Sequence, residues 1–347
     1  MNSGTGFSFG SPAFGTSVLA STPSESNPET QKQFSPPVFQ VESKVRPSRE
    51  VRQKEKQGQI PQWREVEWTE EQREDLMASV CSYSPSYEFV TQARVLLLGP
   101  VASGKSSFIS SVQSVLNGRV TNRAMVGTSP SSFTKKLQSF NLLGPPDDKP
   151  TGLVLCDMMG LESEVSRLSF HDILSVIKGH VPEGHKFTQH TAITSETPGY
   201  IKNPSLQEKI HCVAFVVDAS QLMTYPKSLS AAFAELREHI SDLGVHQVAL
   251  LTNVDKVCVE TAKDTSLVYK SSIIRDTMRR AGTLLGMSTS YIVPVKNYFS
   301  ELSTSLNTDI LLLKAVDHIL QYVELYLKDN CVRKQEANTV GEKKFLF

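Results

Sequence analysis

The chain has 347 residues, with 36 basic and 36 acidic side chains and a formal net charge of zero. That balance excludes a whole-molecule electrostatic grip on nucleic acid or an anionic bilayer, and no run reaches the roughly 18 to 20 apolar residues of a membrane span. Five widely spaced cysteines (Cys81, Cys156, Cys212, Cys258 and Cys331) form no CxxC pair or zinc spacing, and the expectation is reduced thiols in a cytosolic or nuclear protein without leader or lipid anchor.

Residues 1–60 are rich in Ser, Gly, Pro, Thr, Asn and Gln, with isolated apolar side chains, so they are expected to be a disordered tail. Phe7-Ser8-Phe9-Gly10 and Phe14-Gly15 resemble nuclear-pore Phe-Gly repeats, but so few copies make no array. Between residues 42 and 56, basic residues alternate with Glu42, Glu50 and Glu55 as a solvated mixed-charge run. Residues 61–92 form a lead-in segment anchored by Trp63 and Trp68. Thr69 and Gln72 make a capping box that opens a helix over 70–82, burying Leu76, Met77 and Val80.

From residue 93 to 328, short apolar runs alternate with helix-period segments, the mark of an α/β fold whose mostly parallel sheet carries helices on both faces. Strands are expected at 94–98, 137–143, 153–156, 211–217, 247–252 and 291–294. Helices are expected at 106–117, 169–178, 229–243, 266–285 and 309–328. The helix over 106–117 places Phe108, Ile109, Val112, Val115 and Leu116 on one face and stops at Gly118. The Pro- and Asp-rich stretch 144–150 reads as a turn between antiparallel strands, making one edge strand antiparallel, and residues 329–347 are assigned to a C-terminal tail.

Gly99-Pro100-Val101-Ala102-Ser103-Gly104-Lys105-Ser106 is a complete G-x-x-x-x-G-K-[ST] sequence between the first strand and an amphipathic helix, the setting of a P-loop NTPase. Gly99 and Gly104 let the backbone turn tightly, and the N–H groups around Ala102, Ser103 and Ser107 can face a β-phosphate. Lys105 supplies charge to the β- and γ-phosphates, and the Ser106 hydroxyl ligates Mg²⁺. Asp157 closes the apolar run Leu153-Val154-Leu155-Cys156 and is the expected acid beside that Mg²⁺. Gly160, three residues on, completes a D-x-x-G turn whose N–H can bind the γ-phosphate. In the polar loop between these motifs, Thr128 is the first candidate to cap the metal and Thr134 the second. Leu161 stands where many GTPases carry a water-orienting glutamine, and an aliphatic side chain cannot hydrogen-bond. Hydrolysis, if it occurs, is therefore expected to be slow or to need another residue, with Glu162 a weak substitute and no cis arginine identifiable beyond Arg123. No catalytic residue is assigned.

Thr252-Asn253-Val254-Asp255 follows the fifth strand, where a GTPase carries [NT]-K-x-D. The Asp255 carboxylate can accept from guanine N1–H and the exocyclic amine, a pairing that adenine cannot offer. Asn253 departs from the motif lysine, whose stem packs on the base and bridges to the phosphate loop. Lys296, within Val295-Lys296-Asn297, marks the loop expected to back the base.

With these motifs in order the chain resembles a small GTPase-type domain, and more narrowly the interferon-induced protein 44-like family of vertebrates, over residues 63–327. The resemblance lies in Gln92-Ala93-Arg94-Val95-Leu96-Leu97-Leu98-Gly99-Pro100-Val101 continuing into Lys105-Ser106-Ser107, in Val126-Gly127-Thr128-Ser129, in Cys156-Asp157-Met158-Met159-Gly160-Leu161 and in Leu251-Thr252-Asn253-Val254-Asp255. It implies a cytoplasmic, interferon-responsive protein of innate antiviral defence that binds GTP or GDP with Mg²⁺. Lys105 and Ser106 would serve phosphate and metal, Asp157 the metal and Asp255 the base. The expected function is a guanine-nucleotide-dependent switch or scaffold with unidentified protein partners, and a nucleotide-dependent dimer is compatible with the class. Two other readings stand beside it: an interaction module that binds nucleotide for its stability, and an ATP-binding P-loop protein.

Overall fold

The computed structural model describes residues 61–124, 136–145, 147–161, 169–188 and 191–344, with side chains to residue 331. The expected tail over 1–60 lies outside the described residues. Six strands form one sheet in the order β2-β3-β1-β4-β5-β6. They are β1 (Ala93–Leu98), β2 (Gln138–Gly144), β3 (Lys149–Asp157), β4 (Cys212–Asp218), β5 (His246–Thr252) and β6 (Ile292–Pro294). All neighbours pair in parallel except β2 with β3, which are antiparallel across the expected turn, where Asp148 adopts φ 51°.

The apolar runs read from the sequence are strands because the sheet is covered on both faces. Leu96, Leu97, Leu98, Val213, Phe215, Val248 and Leu250 are all at 0% exposure, and burying both sides of a strand removes the need for alternation. Eight helices are described: α1 (Glu70–Ser82), α2 (Lys105–Asn117), α3 (Phe170–Ile177), α4 (Lys227–Asp242), α5 (Val254–Val257), α6 (Val259–Lys263), α7 (Ser272–Leu285) and α8 (Leu306–Lys344). α1 and α2 pack with α8 as one group, and α3 and α7 pack with α4 as another. No described helix is long and apolar enough to cross a membrane.

Three elements depart from the expected ranges or faces. α7 starts at Ser272 rather than near 266, because the Ser271 hydroxyl accepts from Ile274 N and Asp264 caps a separate 3₁₀ turn over Thr265–Leu267. α8 continues past 328 to Lys344. α2 is buried all round rather than on one face: Ser110 accepts from Ala124 N, Ser114 from Thr121 N, and Gln113 pairs with the backbone of Leu143. Its polar residues face loops and a strand edge whose backbone groups they satisfy.

The register aligns the carboxyl ends of the strands. Leu97 lies beside Asp157, Leu98 beside Phe215 and Asp218 beside Thr252, so the residues that follow β1, β3, β4 and β5 share one edge. The chain leaves the central β1 for β2 and β3 on one side and for β4, β5 and β6 on the other. The crevice at such a divergence is where open α/β sheets bind ligands.

The lead-in segment is built into this domain. Trp63 N donates to Tyr269 O and its ring meets that of Tyr269 edge-on at 5.0 Å. Arg64 Nη1 donates to Ile292 O, and Tyr83 Oη donates to Glu324 at 2.7 Å. The end of α1 is seated by Gly152, whose N–H donates to Tyr83 O and whose missing Cβ would lie 2.3 Å from that oxygen. Backbone cannot yield as a flexible side chain can, so Gly152→Ala should lower the unfolding free energy by about 1 to 3 kcal/mol through overpacking. Urea denaturation of the two proteins measures it.

Candidate functional site

The phosphate loop begins where β1 ends. A Cβ on Gly99 would sit 2.0 Å from Val216 O, so only glycine lets the chain leave the sheet beside β4. The turn that follows uses two left-handed residues, Ala102 (φ 61°) and Gly104 (φ 93°), on either side of Ser103. A left-handed alanine costs about 1 kcal/mol or more, a strain that clusters at ligand sites. Gly104 caps α2 without a side-chain hydrogen bond, so no capping side chain covers the helix N-terminus, where the helix dipole favours an anion.

Lys105 is 7% exposed, and its Nζ donates to Gly99 O (3.0 Å) and Pro100 O (2.8 Å). Burial pushes its pKa down to about 8, against the pull of the Asp157 carboxylate. Ser106 Oγ donates a short hydrogen bond to Asp157 Oδ2, which brings together the two groups expected at Mg²⁺. Asp157 is 1% exposed at the end of β3. The hydroxyl of Ser103 is shielded from solvent without a hydrogen-bond partner among the described residues. A glycine-flanked turn at a helix N-terminus, a buried ammonium and an orphaned hydroxyl suit a polyphosphate, and the Ser106–Asp157 pair suits a hard cation.

The D-x-x-G segment lies directly on this loop. Leu161 N donates to Gly99 O (3.0 Å) and Val101 N donates to Leu161 O (3.3 Å). Gly160 is obligatory there, since its Cβ would come within 2.7 Å of Val101 N and 2.8 Å of Val101 Cα. The Leu161 side chain is buried at 8% exposure and brings no polar group to the loop. Thr128, Thr134 and Glu162 lie outside the described residues, and Arg123 is exposed.

On the other side of the loop, Thr252 is fully buried. Its Oγ1 lies 2.7 Å from Ser103 O and 3.1 Å from Val217 O, tying the end of β5 to the phosphate loop. Asp255 is half-buried on α5 and has no hydrogen-bond or ion-pair partner among the described residues, so its carboxylate is available as an acceptor. Asn253 adopts φ 55° and its amide donates to Asp218 Oδ2 at 2.7 Å. Lys296 is paired with Glu301 at 3.6 Å. Two residues of this region were not singled out from the sequence. Asp218 closes the buried strand β4 much as Asp157 closes β3, a pattern that could have flagged it. Asn297, whose Nδ2 donates to Gly104 O at 3.3 Å, carries no such signal.

The strand order, the phosphate loop after β1 and the acid at the end of β3 define a P-loop protein of the GTPase-like α/β class. No family model matches the chain. It is similar to the interferon-induced protein 44 and 44-like proteins. It is 33% identical to interferon-induced protein 44 of Mus musculus over 255 residues, which cover 74% of this chain and 60% of that protein. Identity to the Homo sapiens protein of that name is 33% over 266 residues, covering 77% and 60%. Identity to the Homo sapiens 44-like protein is 34% over 261 residues, covering 75% and 58%. The chain thus spans about 60% of the length of the curated relatives it matches. Among solved structures, a probable GTP-binding protein engB aligns with 67% of this chain and 98% of its own, at 12% identity and a TM-score of 0.36. Era of Aquifex aeolicus bound to GDP and AlF4− aligns with 67% of this chain and 56% of its own, at 14% identity and 0.34. These likenesses are slight, and the class rests on the site and the sheet order.

The buried ammonium has a measurable signature. An unfolded chain holds the Lys105 proton up to its ordinary pKa of 10.5, whereas the folded chain sheds it near 8. The unfolded state therefore binds more protons between about pH 8 and 10.5, stability rises with pH across that window, and the burial penalty is fully present below it. Lys105→Met should raise the unfolding free energy of the nucleotide-free protein at pH 7 by about 1 to 3 kcal/mol. It should also flatten that rise, in paired denaturation series at pH 7 to 10.

Proposed function

We propose that this protein binds guanine nucleotide with Mg²⁺ and acts as a nucleotide-dependent switch or scaffold with weak or partner-dependent GTP hydrolysis. The observation that carries the reading is the tie between Thr252 and Ser103 of an intact phosphate loop, with an unpartnered acid, Asp255, on the helix that directly follows Thr252-Asn253. In this reading Gly99, Ala102, Ser103, Gly104 and Ser107 supply the backbone cradle. Lys105 meets the β- and γ-phosphates. Asp255 accepts from the guanine edge, and Lys296 belongs to the loop that backs the base. Ser106 and Asp157 would hold the metal, with Thr128, outside the described residues, as the third candidate, and the ion would offset charge on the phosphate oxygens. Gly160 would offer its N–H to a γ-phosphate, and its close approach to Val101 supports a coupling of the two motifs through that phosphate.

Two features support slow chemistry. Leu161 contributes only backbone to the loop, and its side chain is buried, so it cannot orient an attacking water. The likeness to proteins named for interferon induction supports a place in the interferon response.

The decisive experiment is calorimetric titration with GDP, a GTP analogue and an ATP analogue, with and without Mg²⁺. Guanine nucleotides should bind at least tenfold more tightly than the ATP analogue, and Mg²⁺ should strengthen the triphosphate in particular. Equal affinities for guanine and adenine nucleotides would overturn the base assignment. Asp255→Asn should lower guanosine affinity by about 2 kcal/mol or more, while xanthosine nucleotide, which offers an acceptor where guanine offers the amine, becomes the better ligand. The affinity for GDP should also weaken above about pH 8, by up to tenfold per unit, because only the protonated Lys105 attracts phosphate.

A further inference from the structure

Asn253 stands where the motif lysine would bridge base and phosphate loop, and a shorter amide cannot make that span. The structure shows where this amide goes instead. Asp218, 6% exposed at the end of β4, accepts from Ser220 N and Oγ through Oδ1 and from Asn253 Nδ2 through Oδ2. The amide of Asn253 is thus committed to the acid at the end of β4.

A different residue reaches the loop. Asn297 follows β6, and its Nδ2 donates to Gly104 O at 3.3 Å. A Cβ on Gly104 would meet that nitrogen at 3.0 Å and Thr252 Cβ at 3.4 Å, so the two side chains converge on one point of the phosphate loop from adjacent strands. The amide orientation is fixed by chemistry, since reversing it would set an oxygen against the Gly104 carbonyl. Its Oδ1 is then shielded from solvent and has no hydrogen-bond partner among the described residues.

The backbone around Asn297 is held from both sides. Val295 N donates to Leu251 O at 2.8 Å. Tyr298 N donates to Ser111 Oγ of α2 at 2.9 Å, and Tyr298 Oη donates to Asp309 Oδ1 at 2.6 Å. Asp309 also takes Arg73 Nη1 at 3.4 Å, and Ser305 N donates to Tyr298 Oη at 2.7 Å. A residue anchored to α2, α8 and β5 brings little ordering entropy to a ligand, which is what a positioning residue requires.

We propose that Asn297 supplies the bridge between the base loop and the phosphate loop that the motif lysine would supply, and that Asn253 has been released from that role into the pair with Asp218. The proposal rests on the guanine-nucleotide reading and goes beyond it. It moves the bridging function to another strand, through an amide rather than an ammonium. Asn297 is a positioning residue: it holds Gly104 O, and through it the turn that aims the amides of the first turn of α2 at the phosphates.

Four proteins test it: wild type, Asn297→Asp, Asn297→Ala, and Asn297→Ala combined with Asn253→Lys. Asn297→Asp is nearly isosteric but replaces the donor facing Gly104 O with an acceptor. GDP affinity is measured by calorimetry, and the melting temperature of each nucleotide-free protein separates binding from folding. Both single variants should weaken GDP binding about tenfold with nearly unchanged melting temperature, and lysine at 253 should restore affinity to within about threefold of wild type. Wild-type affinity in the single variants, with wild type itself binding tightly, would overturn this proposal and leave the guanine reading standing. Weakened binding that lysine at 253 fails to rescue would also overturn it, because Asn297 would then not be replacing a lysine. A wild-type protein that binds no GDP would instead bring down the underlying reading and this proposal with it.

Discussion

The arrangement depends on placing one ammonium group out of water at the end of a fully buried strand. Lys105 has given up hydration for two carbonyl oxygens, Gly99 O and Pro100 O, and a carboxylate in the next strand. A neutral pair of acceptors does not compensate a buried charge fully, and its lowered pKa records the deficit. A ligand with several negative oxygens at the same point would remove it. The nucleotide-free fold therefore stores an unfavourable interaction that a phosphate relieves. This is a physical reason for so much of the surrounding backbone to be locked before any ligand arrives.

That locking explains the close approaches around the loop. Gly99 lies against Val216 O and Gly160 against Val101, each closer than a side chain permits. Leu161 pairs with the loop on its other side, and Thr252 caps Ser103 O. Each contact fixes a backbone group that would otherwise wander, so the strained left-handed Ala102 is held by its neighbours rather than by its own preference.

Much of this was legible in the sequence, for identifiable reasons. Strands buried on both faces read as unbroken apolar runs, so β1, β3, β4 and β5 announced themselves. The phosphate loop, Asp157 and Gly160 were readable because few residue types satisfy their chemistry. The full burial of α2 was not, since Ser110, Ser114 and Gln113 look solvent-facing until the backbone groups they satisfy are in place. Nor was the exchange between Asn253 and Asn297. A one-dimensional motif locates Asn253 in the lysine position but does not reveal that Asp218, 35 residues earlier, claims its amide.

The same network places the lead-in helix within reach of the site. From Gly104 O the path runs through Asn297 to its neighbour Tyr298, then to Asp309 on α8 and Arg73 on α1. Asp309 is 1% exposed, and burial raises its pKa while Tyr298 and Arg73 act to lower it. Removing either partner would leave a buried carboxylate short of donors, which costs more than the pair itself contributes. α1 is thus fastened to the domain through a polar contact that continues, bond by bond, to the phosphate loop. Loss of α1, which carries Arg73, would consequently disturb the polar path that holds the backbone around Asn297, and not merely remove a covering helix.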